Sequence, residues 1–112
     1  MNEKRVFPRL YRRFILRAAA LDEHPLRWSF VTIHNLSVDG IYFTYDRPAY
    51  VGMLLHLKID FPDRLIECMG RVVRVSGAKG ADMTHHDVAA RLEGVAPEER
   101  QFLESFVRQN LA

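Results

Sequence analysis

Hydrophobic and polar positions alternate with period two through the middle of the chain, and only the last fifteen or so residues change to a helical spacing. Over residues 53–61, Leu55, Leu57, Ile59 and Phe61 fall on one side, and Leu54, His56, Lys58 and Asp60 on the other. That spacing predicts a strand with one buried face. Residues 13–21 carry a weaker version, with Phe14, Leu16 and Ala18 in phase. Residues 27–36 (Trp28, Phe30, Val31, Thr32, Ile33) and 41–45 (Ile41, Tyr42, Phe43, Thr44, Tyr45) are rich in the β-branched and aromatic types that suit a pleated surface. Residues 65–75 predict one or two strands, with Gly70 as a bulge or bend. Residues 88–92 predict a short last strand.

Turn chemistry separates these segments. Asp22-Glu23-His24-Pro25, Ser37-Val38-Asp39-Gly40, Asp46-Arg47-Pro48 and Pro62-Asp63 each interrupt the pattern, and residues 76–80 predict a turn or flexible loop. Pro97-Glu98-Glu99 then opens a helix, proline suiting its first position and the acids its positive end. Phe102, Leu103, Phe106 and Val107 form a stripe that docks on the domain or, alternatively, pairs two copies into a homodimer. About six short strands followed by a helix suggest a small barrel or sandwich, mainly β. Closing the barrel would hide the strand edges. Residues 1–12 have no clean period, and Pro8 breaks any helix there. The organisation read is a flexible arm over 1–12, a β domain over 13–95 and a helix over 96–112.

Composition bounds the rest. The 112 residues, 48% hydrophobic and 27% charged, support one globular domain with one core. Cys68 is the lone cysteine, which excludes an intrachain disulfide and a cysteine-cluster zinc site. It fits a reducing compartment and reads as a buried hydrophobe. No apolar run could serve as a signal-peptide core or a membrane span, so a cytoplasmic protein without membrane insertion is expected. The net charge of +2 is unevenly spread. Residues 1–17 hold six cations against Glu3, a net of +5, and the remainder holds 10 basic and 13 acidic residues, a net of −3. Five of the six cations are arginine, whose rigid fork suits phosphates and guanine edges, so an anionic partner is expected near the arm.

Catalytic chemistry finds little support. His24, His34, His56, His85 and His86 show no metal-binding spacing, and no metal or catalytic residue is assigned. Nucleophile-elbow and phosphate-loop motifs are absent, so the chain is not read as an enzyme. Anion binding fares better. Arg5 and Arg9 stand four apart in Arg5-Val6-Phe7-Pro8-Arg9, and arginine can grip guanine O6 and N7, stack on a base or hold a phosphate. The same spacing recurs at Arg9/Arg13 and Arg13/Arg17, so it does not choose a register alone. The second feature is Asn35-Leu36-Ser37-Val38-Asp39-Gly40, where Gly40 permits positive φ or close ligand approach. By itself this segment is equally an ordinary hairpin turn.

Together the two features resemble the PilZ domain family, whose hallmark is Arg-x-x-x-Arg in an N-terminal arm followed downstream by Asp/Asn-x-Ser-x-x-Gly. Arg5 and Arg9 match the first motif, with Pro8 selecting the register; Asn35, Ser37 and Gly40 match the second. Lys4 stands where the family often has another arginine. Gly52, the alternating run to Phe61-Pro62, and Gly70-Arg71-Val72-Val73-Arg74-Val75 are similar to the family's middle strands. The resemblance implies a six-stranded antiparallel β-barrel with a C-terminal helix. It also implies binding of cyclic di-GMP by Arg5, Arg9, Asn35, Ser37 and Gly40, with Lys4, Asp39 and Ala89 as secondary positions. The family often has Gly-x-x-Phe on the last strand, where this chain has Ala89 and Leu92. A methyl at Ala89 would crowd a ligand packed there. No cofactor is implied beyond the ligand. The implied output is an unidentified downstream protein, reached by ordering the arm. The alternatives are a ligand-independent protein–protein adaptor and a nucleic-acid binder; against the latter, the body is net acidic and offers no basic recognition helix.

Overall fold

The structure, a computed structural model, describes residues 14–79 and 85–111. Lys4, Arg5 and Arg9 lie outside the described residues, as does the first part of the arm-to-barrel boundary. Six strands form a closed antiparallel barrel: β1 (Ile15–Ala20), β2 (Ser29–Leu36), β3 (Gly40–Tyr45), β4 (Leu54–Phe61), β5 (Arg64–Lys79) and β6 (His85–Glu93), in the order β1-β2-β3-β6-β5-β4. One helix, α1 (Pro97–Leu111), follows. No helix among the described residues is long and apolar enough to cross a membrane.

Alternation does what the sequence predicts. Phe14 just before β1, Leu16, Ala18 and Ala20 of β1, Ile41, Phe43 and Tyr45 of β3, and Leu55, Leu57, Ile59 and Phe61 of β4 all belong to the core. Each fully buried aliphatic or aromatic side chain contributes about 1.5–3 kcal/mol, so the inner face of the barrel is the main source of stability. Cys68 is buried among them, and burial pushes its thiol up to about 12. Two ends can be distinguished. At one, β1 begins, the β2–β3 turn lies and α1 docks. Phe61 stacks or makes edge contacts with Phe14, Phe102 and Phe106, and Leu103 is fully buried. The helical stripe therefore docks on its own barrel. At the far end, residues 46–53 carry the chain from β3 across to β4. There Arg47 pairs with Glu23, and the Tyr50 hydroxyl donates to Asp22 at 3.0 Å. The turn into β4 closes with the Met53 N–H donating to the Tyr50 carbonyl, and Gly52 takes the positive φ (93°) that this turn needs.

β5 departs from the pattern. It is one 16-residue strand that runs through Gly70 without a break, Gly70 pairing with Leu55 on one side and Leu92 on the other. The irregularities lie elsewhere, between Val72 and Arg74 and between Ser76 and Ala78. Gly70 is there because its neighbour is too close: a Cβ would sit 2.7 Å from Leu57 Cδ1. Residues 76–79 are strand rather than turn. β6 starts at His85, three residues before the predicted start, and supplies the ladder that holds them. Cross-strand pairing overrides the weak local preference of Ser and Gly.

Candidate ligand-binding site

The β2–β3 turn is built by its own side chains. The Ser37 N–H donates to the Gly40 carbonyl at 2.8 Å. The Ser37 hydroxyl accepts from the Gly40 N–H at 3.1 Å and donates to the Gly40 carbonyl at 3.2 Å. Serine is needed because it can donate and accept at once. The Leu92 N–H donates to the Asp39 carbonyl at 2.9 Å and fastens the turn to the end of β6. Gly40 does not have a positive φ. It is glycine because β6 passes close by: a Cβ would lie 3.1 Å from the Ala90 carbonyl oxygen. What approaches Gly40 closely within the protein is therefore the backbone of β6.

A register shift between Ile33 and Asn35 breaks the alternation of β2, so that His34 and Asn35 are both exposed while Leu36 turns inward. The shift sets Asn35 opposite Tyr42. Cross-strand partners share a face, and the pairing continues from Tyr42 to Ala89 and from Ala89 to Arg74. Asn35, Tyr42, Ala89 and Arg74 therefore form one outward row across β2, β3, β6 and β5. The Arg74 guanidinium carbon lies 5.7 Å from the Tyr42 ring centre, within cation–π range, reaching over the strand that carries Ala89. A small residue at 89 leaves that path open. The His34 ring packs at 5.3 Å from Tyr42, tilted by 48°.

A second row runs from Gly40 to Arg91 to Arg71. Both arginines converge on Glu93 Oε2, Arg71 Nε at 3.0 Å and Arg91 Nη2 at 3.3 Å. The hydrogen bond from Arg71, with help from Arg91, holds the Glu93 carboxyl below the usual carboxylate range.

Between these rows lies an open cavity of about 450 Å³. Its size is that of a small-molecule site. Asn35, Ser37 and Gly40 line it, and so do the secondary positions Asp39 and Ala89. Ala89 forms part of the wall. Leu92, the other departure from the family pattern, packs partly buried against the core. Tyr42, Val73 and Arg91 line the cavity as well, although the sequence assigned none of them a contact there. Period two could have found two of them, since Tyr42 lies two residues beyond Gly40 and Arg91 two beyond Ala89. Val73 had no such signal, because it sits at the irregularity between Val72 and Arg74.

The site is apolar on much of its floor, with an amide, a hydroxyl, a phenol and a guanidinium at its edges. That combination suits a ligand with flat ring faces and acceptor edges. Among the described residues no three His, Cys, Asp or Glu side chains gather as a metal site would require. β1 runs antiparallel to β2, with Leu16 opposite Val31, so the chain enters the barrel at the end where Leu36 and the turn lie.

A family model described as the PilZ domain matches residues 3–109. No curated protein matches the chain. Among solved structures, the Bacillus subtilis inhibitor of motility (MotI/DgrA) aligns with a TM-score of 0.64 and 20% sequence identity. The alignment covers 87% of this chain and 47% of that one, so the chain spans about half the length of that relative. At such identity the likeness shows the fold alone.

Proposed function

Since the chain belongs to the PilZ domain family, we propose that it is a receptor for cyclic di-GMP, held between the arm residues Arg5 and Arg9 and the barrel residues Asn35, Ser37 and Gly40. The observation that carries this reading is the cavity of about 450 Å³ in which Asn35, Ser37, Asp39, Gly40 and Ala89 meet. Its walls supply a carboxamide for a base edge at Asn35 and a small residue at Ala89, while Tyr42 offers an aromatic surface for stacking. Ser37 is engaged with Gly40 and serves mainly to shape the turn. The two phosphates then fall to the arm. Arg9 stands five positions before Phe14, a span of at most about 18 Å, so the arginine fork can reach a ligand seated at this end of the barrel. Ligand would draw the arm onto the barrel, and the altered surface would be read by a downstream protein; the driving force is differential affinity for the closed state.

Calorimetric titration of the intact protein with cyclic di-GMP tests the reading. Saturable binding is expected, and Arg9→Ala should weaken it by roughly 2–3 kcal/mol, about 30- to 150-fold, as for a lost charge-assisted contact. Absence of binding at ligand concentrations of about 50 μM or more, where even modest nucleotide receptors respond, overturns it.

A further inference from the structure

Asp39 does more at this site than shape a turn. Asp39 is one of the residues lining the cavity, and its Oδ1 accepts from Nη2 of Arg100 at 2.9 Å. Arg100 lies in the first turn of α1, where its N–H donates to the Ala96 carbonyl at 2.8 Å. That is an electrostatically poor place for a cation, because the start of a helix carries partial positive charge. The neighbouring positions follow the rule with Glu98 and Glu99. Arg100 breaks it, and its guanidinium is directed at the cavity wall instead of the helix end. The pair is open to solvent, with Asp39 82% and Arg100 50% exposed, so releasing it costs little.

Resting on the reading of this site as a cyclic di-GMP receptor, we propose that Arg100 is an additional ligand-binding cation, held in reserve by Asp39, and that Asp39 opposes binding. Without ligand the carboxylate and the guanidinium neutralise one another at the cavity rim. A bound phosphodiester brings negative charge close to Asp39. The guanidinium then has a choice between two anions, and it can bridge both or move to the phosphate, for which its planar fork is well matched. The same movement couples occupancy of the cavity to the first turn of α1, the helix that closes the barrel through Leu103 and Phe106. A pair that served only to clamp the helix to the turn would behave differently: removing either partner would loosen the same clamp.

Opposite signs separate the two cases. Titration of the full chain with cyclic di-GMP should give Arg100→Ala an affinity roughly 5- to 20-fold weaker than wild type, Arg100→Lys an intermediate one, and Asp39→Asn one about 3- to 10-fold tighter. The affinity of Arg100→Ala should also fall less steeply with added salt, since one cation fewer is engaged. Circular dichroism checks that each variant keeps the wild-type fold. Unchanged affinity in Arg100→Ala, or weaker binding in Asp39→Asn, overturns the proposal while leaving the receptor reading intact. Absence of binding by the wild type overturns both.

Discussion

Replacing Gly70 by alanine separates two explanations for that glycine. A bulge would need glycine for its backbone. The structure instead shows a regularly paired strand residue without positive φ, whose missing side chain makes room for Leu57. A Cβ there would lie 2.7 Å from Leu57 Cδ1 and 3.3 Å from Cγ, against a comfortable carbon–carbon separation of about 3.5–4.0 Å. Leu57 is fully buried and cannot swing into solvent. Overpacking of this kind costs about 1–3 kcal/mol. Against it stands the reduced freedom of the unfolded chain on going from Gly to Ala, about 0.4–1 kcal/mol in favour. The steric effect wins, and Gly70→Ala should lose about 1–2 kcal/mol. Urea unfolding followed by the fluorescence of Trp28, the single tryptophan, should show a lower midpoint with an unchanged slope. The decisive comparison adds Leu57→Val, which removes the δ carbons. In that background the cost of Gly70→Ala should shrink by about 1 kcal/mol, the coupling typical of residues in contact. A cost independent of residue 57 would refute the packing argument and restore the backbone one.

The other predictions concern buried and paired polar groups. Tyr45 is fully buried, its hydroxyl has no hydrogen-bond partner among the described residues, and burial pushes its pKa up to about 12. Tyr45→Phe should therefore be as stable as wild type or gain up to about 1 kcal/mol in a thermal melt; a loss larger than that would mean the hydroxyl is hydrogen-bonded after all. Glu93 has its pKa lowered by Arg71 and Arg91, so its stabilising effect is present above the unfolded value of about 4.3 and is lost as pH falls through the lower folded value. The difference in urea midpoint between wild type and Glu93→Gln should accordingly narrow from neutral pH towards pH 3, and a difference that stays constant with pH would contradict the ion-pair assignment.

The sequence by itself, through local periodicity, was enough to read the inward faces of the strands and the apolar stripe of the helix, while the docking of that stripe on its own barrel rather than on a second copy came from the structure. Burial at Leu55, Leu57, Ile59 and Phe61, or at Phe102, Leu103 and Phe106, follows from the local period, and a local period needs no knowledge of neighbours. It also pointed to the segment Asn35–Gly40, because serine and glycine at that spacing can close a turn without help from elsewhere in the chain. Tertiary structure decided what depends on which strand lies beside which. Gly40 and Gly70 read from sequence as backbone devices, yet both are small because another element passes within van der Waals distance. The extension of β5 to Lys79 required the opposing ladder of β6. Arg74 meets Tyr42 across Ala89, and Arg100 meets Asp39 across 61 residues of chain. No spacing rule links such residues, because closing the barrel and docking the helix on its end are what bring them together.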